Sequence, residues 1–273
     1  MDRQAYLARI DYQGTLEPSL DTLFALHRAH VLTVPFENLN IHLGQPVSLD
    51  PDDLFRKIVH RRRGGYCFEL NGLFALLLED LGFPVTRLAA RVLYGAEGDR
   101  PRSHQVLLVA IGAEPWLVDV GFGGNGLLEP FLVRVGNSQV QGGDRFALSQ
   151  DQRGEYLLQC EIHRAWEKLY SFTFDACLPV DYTFANYYHS HSPESLFARK
   201  RICTMPTPDG RKTFTDMVLK IRSGGKTQKI HPRDMEEYRS LIKYHFNLEV
   251  EGEFKPLESG WSPAAGEEEA RGR

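Results

Sequence analysis

The stretch Arg63-Gly64-Gly65-Tyr66-Cys67-Phe68-Glu69-Leu70-Asn71 decides how the rest of the chain is read. It closes a basic run, Arg61-Arg62-Arg63, that suits the C-terminal end of a helix, and its two glycines offer a tight turn that a residue with a Cβ would resist. From Phe68 to Leu81 the residues are mostly apolar at helical spacing, so Cys67 sits where a buried helix begins. A thiol at a helix N-terminus meets unpaired N–H groups and the positive end of the helix dipole, both of which favour thiolate over thiol. Cys67 is therefore a candidate nucleophile. Free cysteine is also among the most buried residue types, so plain packing is the competing role.

The whole chain sets the bounds. Its 273 residues suffice for a sizeable core in one large domain or two to three small ones. Hydrophobic content of 42%, charged content of 25% and a net charge of −4 are ordinary for a globular protein and give no basic excess for a nucleic-acid backbone. The N-terminus, Met1-Asp2-Arg3-Gln4-Ala5-Tyr6, has no apolar signal core, and no apolar run approaches the ~20 residues that span a bilayer. A cytoplasmic protein without membrane or nucleic-acid partners is expected. Cys67, Cys160, Cys177 and Cys203 are widely spaced with no CxxC pair, which suggests neither a disulfide framework nor a metal site.

Working outward, the pattern is helical from Met1 to about Leu81. Ala5 to Ile10 and Ser19 to His30 carry apolar residues at helical spacing, with Ser19 and Asp21 available as caps. Val34-Pro35-Phe36-Glu37-Asn38-Leu39 reads as a connecting loop, and Asp50-Pro51 opens a helix through Leu54 and Ile58 that stops at the double glycine. After Gly82 the period becomes extended. Val85 to Leu93, His104 to Ile111, Trp116 to Val120, Phe131 to Val135, Arg145 to Leu148, Glu155 to Ile162 and Trp166 to Phe172 predict strands of an antiparallel sheet curling toward a barrel. From Val180 the signals mix: an aromatic-rich helix through Tyr187, strands around Ile202, Met217 to Ile221 and Lys226 to Ile230, and a helix from Asp234 to Tyr244. The tail from Glu251, with Glu267-Glu268-Glu269, reads as surface-draped or disordered. The expected division is 1–84, 85–179 and 180–273, an α+β chain of helical bundle, antiparallel β-barrel and small α/β unit.

A cysteine nucleophile needs a base, and the base needs a group to orient it. The strand from His104 and the strand ending near Asp119 are joined by a short turn around Gly112-Ala113-Glu114-Pro115, so they pair as a hairpin. With an even-numbered loop, opposed residues have numbers with an odd sum, which puts His104 and Asp119 on one face, opposed or diagonal at ~5–8 Å. Asp119 lies within Trp116-Leu117-Val118-Asp119-Val120, where a buried carboxylate is costly without a partner such as an imidazolium. Taken singly, a histidine is more often a satisfied structural group and an aspartate a turn cap; the three together point to acyl chemistry.

These residues, together with VPFENL at Val34–Leu39, VDVGFGG at Val118–Gly124, Trp166–Phe174 and Asn186–Phe197, resemble the arylamine N-acetyltransferases, most fully up to Lys200. The resemblance implies a Cys67–His104–Asp119 triad on a core akin to papain-like and transglutaminase-like cysteine enzymes. It implies a helical bundle, a barrel and an α/β lid. It implies ping-pong transfer of acetyl from acetyl-CoA, a co-substrate and not a tightly bound cofactor, to an arylamine or arylhydrazine. Phe36 and Phe122 stand at positions that line the acceptor pocket in the family, and their rings equally suit core packing. Gly123, Gly124 and Gly126 can let backbone amides approach a CoA phosphate, with a plain strand-ending turn as the competing role. Because a triad specifies acyl transfer and not the acceptor, a cysteine amide synthase or hydrolase on the same scaffold is the alternative.

Overall fold

The computed structural model describes residues 1–256. Helix α1 (Arg3–Arg9) is capped by the Asp2 side chain, which accepts from the Ala5 amide, and α2 (Leu20–Thr33) by Ser19, which accepts from Thr22. Val34 is extended, as the following proline requires. The segment expected to be a loop from Val34 to Leu39 is more ordered than that: Phe36–Glu37 form a short strand, β1, and Leu39–His42 a helical turn, α3. The strand partners of Phe36 and Glu37 are Thr204 and Cys203, so no local pattern announces β1.

Helix α4 (Pro51–Phe55) starts where Asp50 accepts from the Asp52 and Asp53 amides, and it runs into a π-helical turn, Arg56–His60. Helix α5 (Cys67–Asp80) follows. The turn between them is made differently from the sequence expectation. The left-handed residue is Arg62, with φ 50°, and neither Gly64 nor Gly65 has positive φ. A Cβ at Gly64 would stand 2.0 Å from the Pro35 carbonyl oxygen, and one at Gly65 would stand 2.7 Å from Glu69 Cβ. Close approach, not turn geometry, requires the two glycines. Leu70, Leu73, Phe74, Leu77 and Leu78 of α5 are wholly buried, each large side chain contributing about 1.5–3 kcal/mol of apolar transfer.

Eight antiparallel strands form the second layer: β2 (Val85–Val92), β3 (Arg102–Ile111), β4 (Glu114–Val118), β5 (Phe131–Leu132), β6 (Ser138–Gln141), β7 (Asp144–Gln150), β8 (Tyr156–Ile162) and β9 (Ala165–Ala176). Their order is β5-β4-β3-β2-β9-β8-β7-β6, a nearly closed barrel. Side chains bridge its two edges: Asn137 Nδ2 donates to the Leu132 carbonyl at 3.0 Å, and Gln139 Oε1 accepts from the Leu132 amide at 3.1 Å. Strand β6 is absent from the sequence reading because Ser138-Gln139-Val140-Gln141 lacks a buried apolar alternation. Strand β5 stops short of the expected Val135 because the Arg134 amide turns back to the Leu132 carbonyl at 3.0 Å.

The remainder comprises a helical turn (Pro179–Tyr182), α6 (Thr183–His191), α7 (Leu196–Arg199), β10 (Ile202–Thr207), β11 (Gly210–Thr215), β12 (Val218–Ser223), β13 (Lys226–Ile230) and α8 (Met235–Phe246). Strand β11, also unanticipated, reads Gly-Arg-Lys-Thr-Phe-Thr and buries only Phe214. The five strands run antiparallel in the order β1-β10-β11-β12-β13, so the N-terminal part of the chain supplies one edge. Helix α8 covers one face through Tyr238, Ile242 and Phe246 packed on Phe214 and Leu219. The chain beyond α8 packs back, with the Lys255 amide donating to the His42 carbonyl at 2.7 Å; Glu267-Glu268-Glu269 lie outside the described residues. Strand β1 joins the C-terminal sheet to the start of α5, since the Glu37 amide also donates to the Gly65 carbonyl at 2.9 Å, just before Cys67.

Candidate active site

The start of α5 is fixed from several sides. Glu69, in the helix's first turn, accepts from the Tyr66 amide at 3.0 Å and from Lys57 Nζ at 2.6 Å. Arg63 is held inward by Glu37, with Nη2 2.8 Å from Oε1, and by Asn40 at 3.0 Å. Burial alone would push the Glu37 carboxyl up; the Arg63 and Lys57 charges outweigh it and hold the group low. Arg9 of α1 adds four backbone contacts, to the Ile58, Thr33, Arg62 and Arg63 carbonyls. Cys67, buried as the first residue of the helix, therefore has little freedom to move.

His104 and Asp119 reach one another across the barrel hairpin. Strands β3 and β4 pair with Leu107 opposite Val118 around the two-residue turn Gly112-Ala113, so the register sum is odd. Val106 would face Asp119 on continuing the ladder, and His104 is its diagonal neighbour. On the other side of β3, Ala90 pairs with His104 and Arg91 with Arg102, leaving Ser103 as a bulge residue next to the histidine. Such a bulge re-aims the adjacent side chain. The result is a 2.8 Å contact between His104 Nε2 and Asp119 Oδ2, both groups buried. Burial would lower the imidazole, but the Asp119 carboxylate and the adjacent Cys67 side chain outweigh it and raise His104 to about 10. For Asp119, burial would raise the carboxyl; His104, Asn71 and the Gly121 amide outweigh it and hold the group below the usual range.

Three further side chains complete the arrangement, and none was given a role from sequence. Asn71 Nδ2 donates to Asp119 Oδ1 at 2.8 Å and to the Gln105 carbonyl at 2.6 Å, while its Oδ1 accepts from the Val120 amide at 2.9 Å. Its spacing of four from Cys67 places both on one helix face, the signal by which it is findable. His27 Nε2 accepts from the Asp119 amide at 3.4 Å and its Nδ1 contacts the Leu128 carbonyl at 3.0 Å. Burial lowers His27 to about 4, so the ring is neutral near pH 7. The Tyr170 ring stands 5.2 Å from those of His104 and Phe122, its phenol buried beside Asp119.

Phe36 and Phe122 are brought to the same narrow cleft, about 20 Å³, with Asp119, Gly123, Gly126, Thr204 and Arg211 on its walls. Phe36 packs against Phe197 at 5.8 Å, and Phe122 meets the His104 ring edge-on at 5.4 Å. Gly121 touches the start of α5, since a Cβ there would lie 2.8 Å from Cys67 Cα. Gly123 has φ 76° and closes a turn with the Gly126 amide at 3.1 Å, whereas Gly124 faces open space. A larger cavity, about 280 Å³, is lined by Arg56, Lys57, Arg61, Arg63, Glu69 and neighbours and includes none of Cys67, His104 and Asp119. Among the described residues, no cluster of metal-ligating side chains occurs, and no helix is long and apolar enough to cross a membrane.

A thiol at a helix start, an imidazole beside it and a buried carboxylate behind the imidazole define a cysteine acyl-transfer class on an α+β scaffold. The particular family follows from comparison. A profile described as N-acetyltransferase matches residues 19–254, and the chain belongs to that family. The chain is 34% identical over 90% of its length, and 88% of the relative's, to the arylamine N-acetyltransferase / N-hydroxyarylamine O-acetyltransferase of Salmonella typhimurium. The arylamine N-acetyltransferase structure from M. tuberculosis superposes with a TM-score of 0.86 at 36% identity, covering 90% of this chain and 94% of that one. The Mycobacterium marinum arylamine N-acetyltransferase, solved in complex with CoA, gives 0.86 at 34% identity, covering 90% and 93%.

Proposed function

We propose that this chain transfers acetyl from acetyl-CoA to an arylamine or arylhydrazine through a thioester on Cys67. Supporting this reading is the 2.8 Å contact of His104 with Asp119 beside the Cys67 side chain, in a chain of the N-acetyltransferase family. In the first half-reaction the Cys67 sulfur, its proton passing to His104, attacks the acetyl carbonyl. The carbon–sulfur bond to CoA breaks, and His104 returns the proton to the departing CoA sulfur. In the second half-reaction the amine nitrogen attacks the thioester, its proton passes through His104, and the Cys67 sulfur leaves. Asp119 orients the imidazole and stabilises its charged form.

Phe36 and Phe122 supply apolar walls that exclude ordered water and seat an aromatic ring. Aromatic amines suit the chemistry because they are weakly basic and keep a free lone pair near pH 7. Gly123 and Gly126 serve the donor side of the same cleft, with Gly124 beyond them. In this reading the part before 84 carries the nucleophile, 85–179 carries the base and its carboxylate, and the part from 180 covers the cleft. The test is two-substrate kinetics: parallel double-reciprocal lines and amine-dependent CoA release are expected. Intersecting lines, or CoA release equally fast without amine, would favour direct transfer or hydrolysis.

A further inference from the structure

Helix α2 sends His27 into the core, where the residue is wholly buried. Both ring nitrogens are partnered: Nδ1 contacts the Leu128 carbonyl at 3.0 Å and Nε2 the Asp119 amide at 3.4 Å. A carbonyl can only accept and an amide N–H can only donate, so the proton sits on Nδ1 and Nε2 keeps its lone pair. That assignment needs a neutral ring, and burial keeps it neutral. Phe74 of α5 braces the imidazole edge-on at 6.2 Å.

The two contacts close the neck of one loop. Strand β4 ends at Val118, the last residue of its ladder with β3, so the Asp119 amide lies beyond strand pairing. Leu128 is anchored independently by Gln141 of β6, a buried residue. Gln141 Oε1 accepts from the Leu128 amide at 2.9 Å and the Glu129 amide at 3.1 Å, and its Nε2 donates to the Glu129 carbonyl at 3.1 Å. His27 therefore ties Asp119 to a fixed point of the barrel. Between these ends the chain carries Gly121, Gly123, Gly124 and Gly126, with Phe122 in the cleft, so the loop has backbone freedom that its neck lacks. Without the clip, displacement of Phe122 by an entering ring passes three residues back to Asp119.

We propose that His27 is a positioning residue for acyl transfer: by clipping the neck of the 119–128 loop it holds the Asp119 main chain, and with it the carboxylate, in line with His104. The proposal rests on the Cys67 thioester reading above. One of the two amides on Asp119 Oδ1, that of Gly121, belongs to the same loop and moves with it, so the clip on the main chain supplies a hold that the loop itself lacks. Misplacement of such a group by about 1 Å costs about a hundredfold in rate. His27 acts through the Asp119 main chain, with no bond made or broken at its ring.

The test compares His27→Asn with His27→Gln in the full chain. Asparagine presents its amide at the position of Nδ1 and keeps the Leu128 contact alone, whereas glutamine presents its oxygen at the reach of Nε2 and keeps the Asp119 contact. Single-turnover CoA release from acetyl-CoA is expected to fall about tenfold to a hundredfold in His27→Asn and to recover about fivefold or more in His27→Gln. Nitrogen NMR should show wild-type His27 as the neutral Nδ1–H tautomer, and His104 holding its proton about tenfold less tightly in His27→Asn. Equal rates in the two folded variants, or an unmoved His104 titration in His27→Asn, overturns the positioning role. Should His27→Asn fail to fold, the wild-type tautomer decides: a His27 ring protonated at Nε2 overturns the clip. A wild-type protein that takes no acetyl onto Cys67 overturns the thioester reading, and the His104 titration still decides the role of His27.

Discussion

Asn71 and Asp119 share a 2.8 Å hydrogen bond that ties the helix of Cys67 to the carboxylate behind His104. One amide thus couples two elements that fold from distant parts of the chain. Asp119 Oδ1 also accepts from the Gly121 amide at 2.9 Å, which leaves Oδ2 for the imidazole. The side-chain contacts of this carboxylate are therefore set by Asn71 as much as by His104.

Asn71→Ala removes one partner each from the Gln105 carbonyl, the Val120 amide and Asp119 Oδ1, of which Oδ1 keeps the Gly121 amide. A loss of about 1–3 kcal/mol in unfolding free energy is expected, with a roughly tenfold or larger drop in kcat/KM. Urea unfolding and steady-state kinetics on the same preparation check it. Full activity in Asn71→Ala would show that the carboxylate is held without the amide.

Asp119→Asn keeps the shape and removes the charge opposite His104. Acylation of Cys67 is expected to slow by roughly a thousandfold or more, read by single-turnover CoA release. Near-normal acylation would remove Asp119 from the mechanism.

Acetyl-CoA without acceptor should place one acetyl group, on Cys67, and none in Cys67→Ala. Burial pushes the Cys160 thiol up to about 12 and the Cys203 thiol well above its ordinary value, so neither competes near neutral pH. Peptide mass spectrometry decides, and an adduct on Cys160, Cys177 or Cys203 would contradict the assignment.

His104 is raised from 6.5 to about 10 in the folded chain. A raised folded pKa means the native state holds a proton that the unfolded state has released, so the stabilisation is full below 6.5 and is lost as pH rises toward about 10. Unfolding free energy should therefore fall across that window, and fall less in His104→Gln. Nitrogen NMR of the ring should report imidazolium at pH 8; a neutral ring there would refute the pairing.

Gly64→Ala pushes a methyl group into the Pro35 carbonyl and is expected to cost roughly 3 kcal/mol or more, whereas Gly124→Ala faces open space and should stay within about 0.5 kcal/mol. Thermal melts of the two variants distinguish close approach from a general glycine requirement of the loops. Equal losses would show that backbone freedom matters at both.

The sequence by itself determined what local chemistry controls. The apolar period after Cys67 gave a buried helix, Pro35 and Pro51 placed a break and a start, and the short turn around Gly112-Ala113-Glu114-Pro115 joined the strands bearing His104 and Asp119, whose parity the structure then set by making that turn two residues long. Nonlocal contacts decided the rest. Strand β1 exists because Phe36 and Glu37 find Thr204 and Cys203, and the polar strands β6 and β11 exist because neighbouring strands satisfy their backbone groups. Asn71 and His27 converge on Asp119 only once α2, α5 and the barrel are packed. A pairwise hydrogen bond carries no sequence period, so its partner becomes visible only when tertiary packing has removed water from both groups and made the bond obligatory.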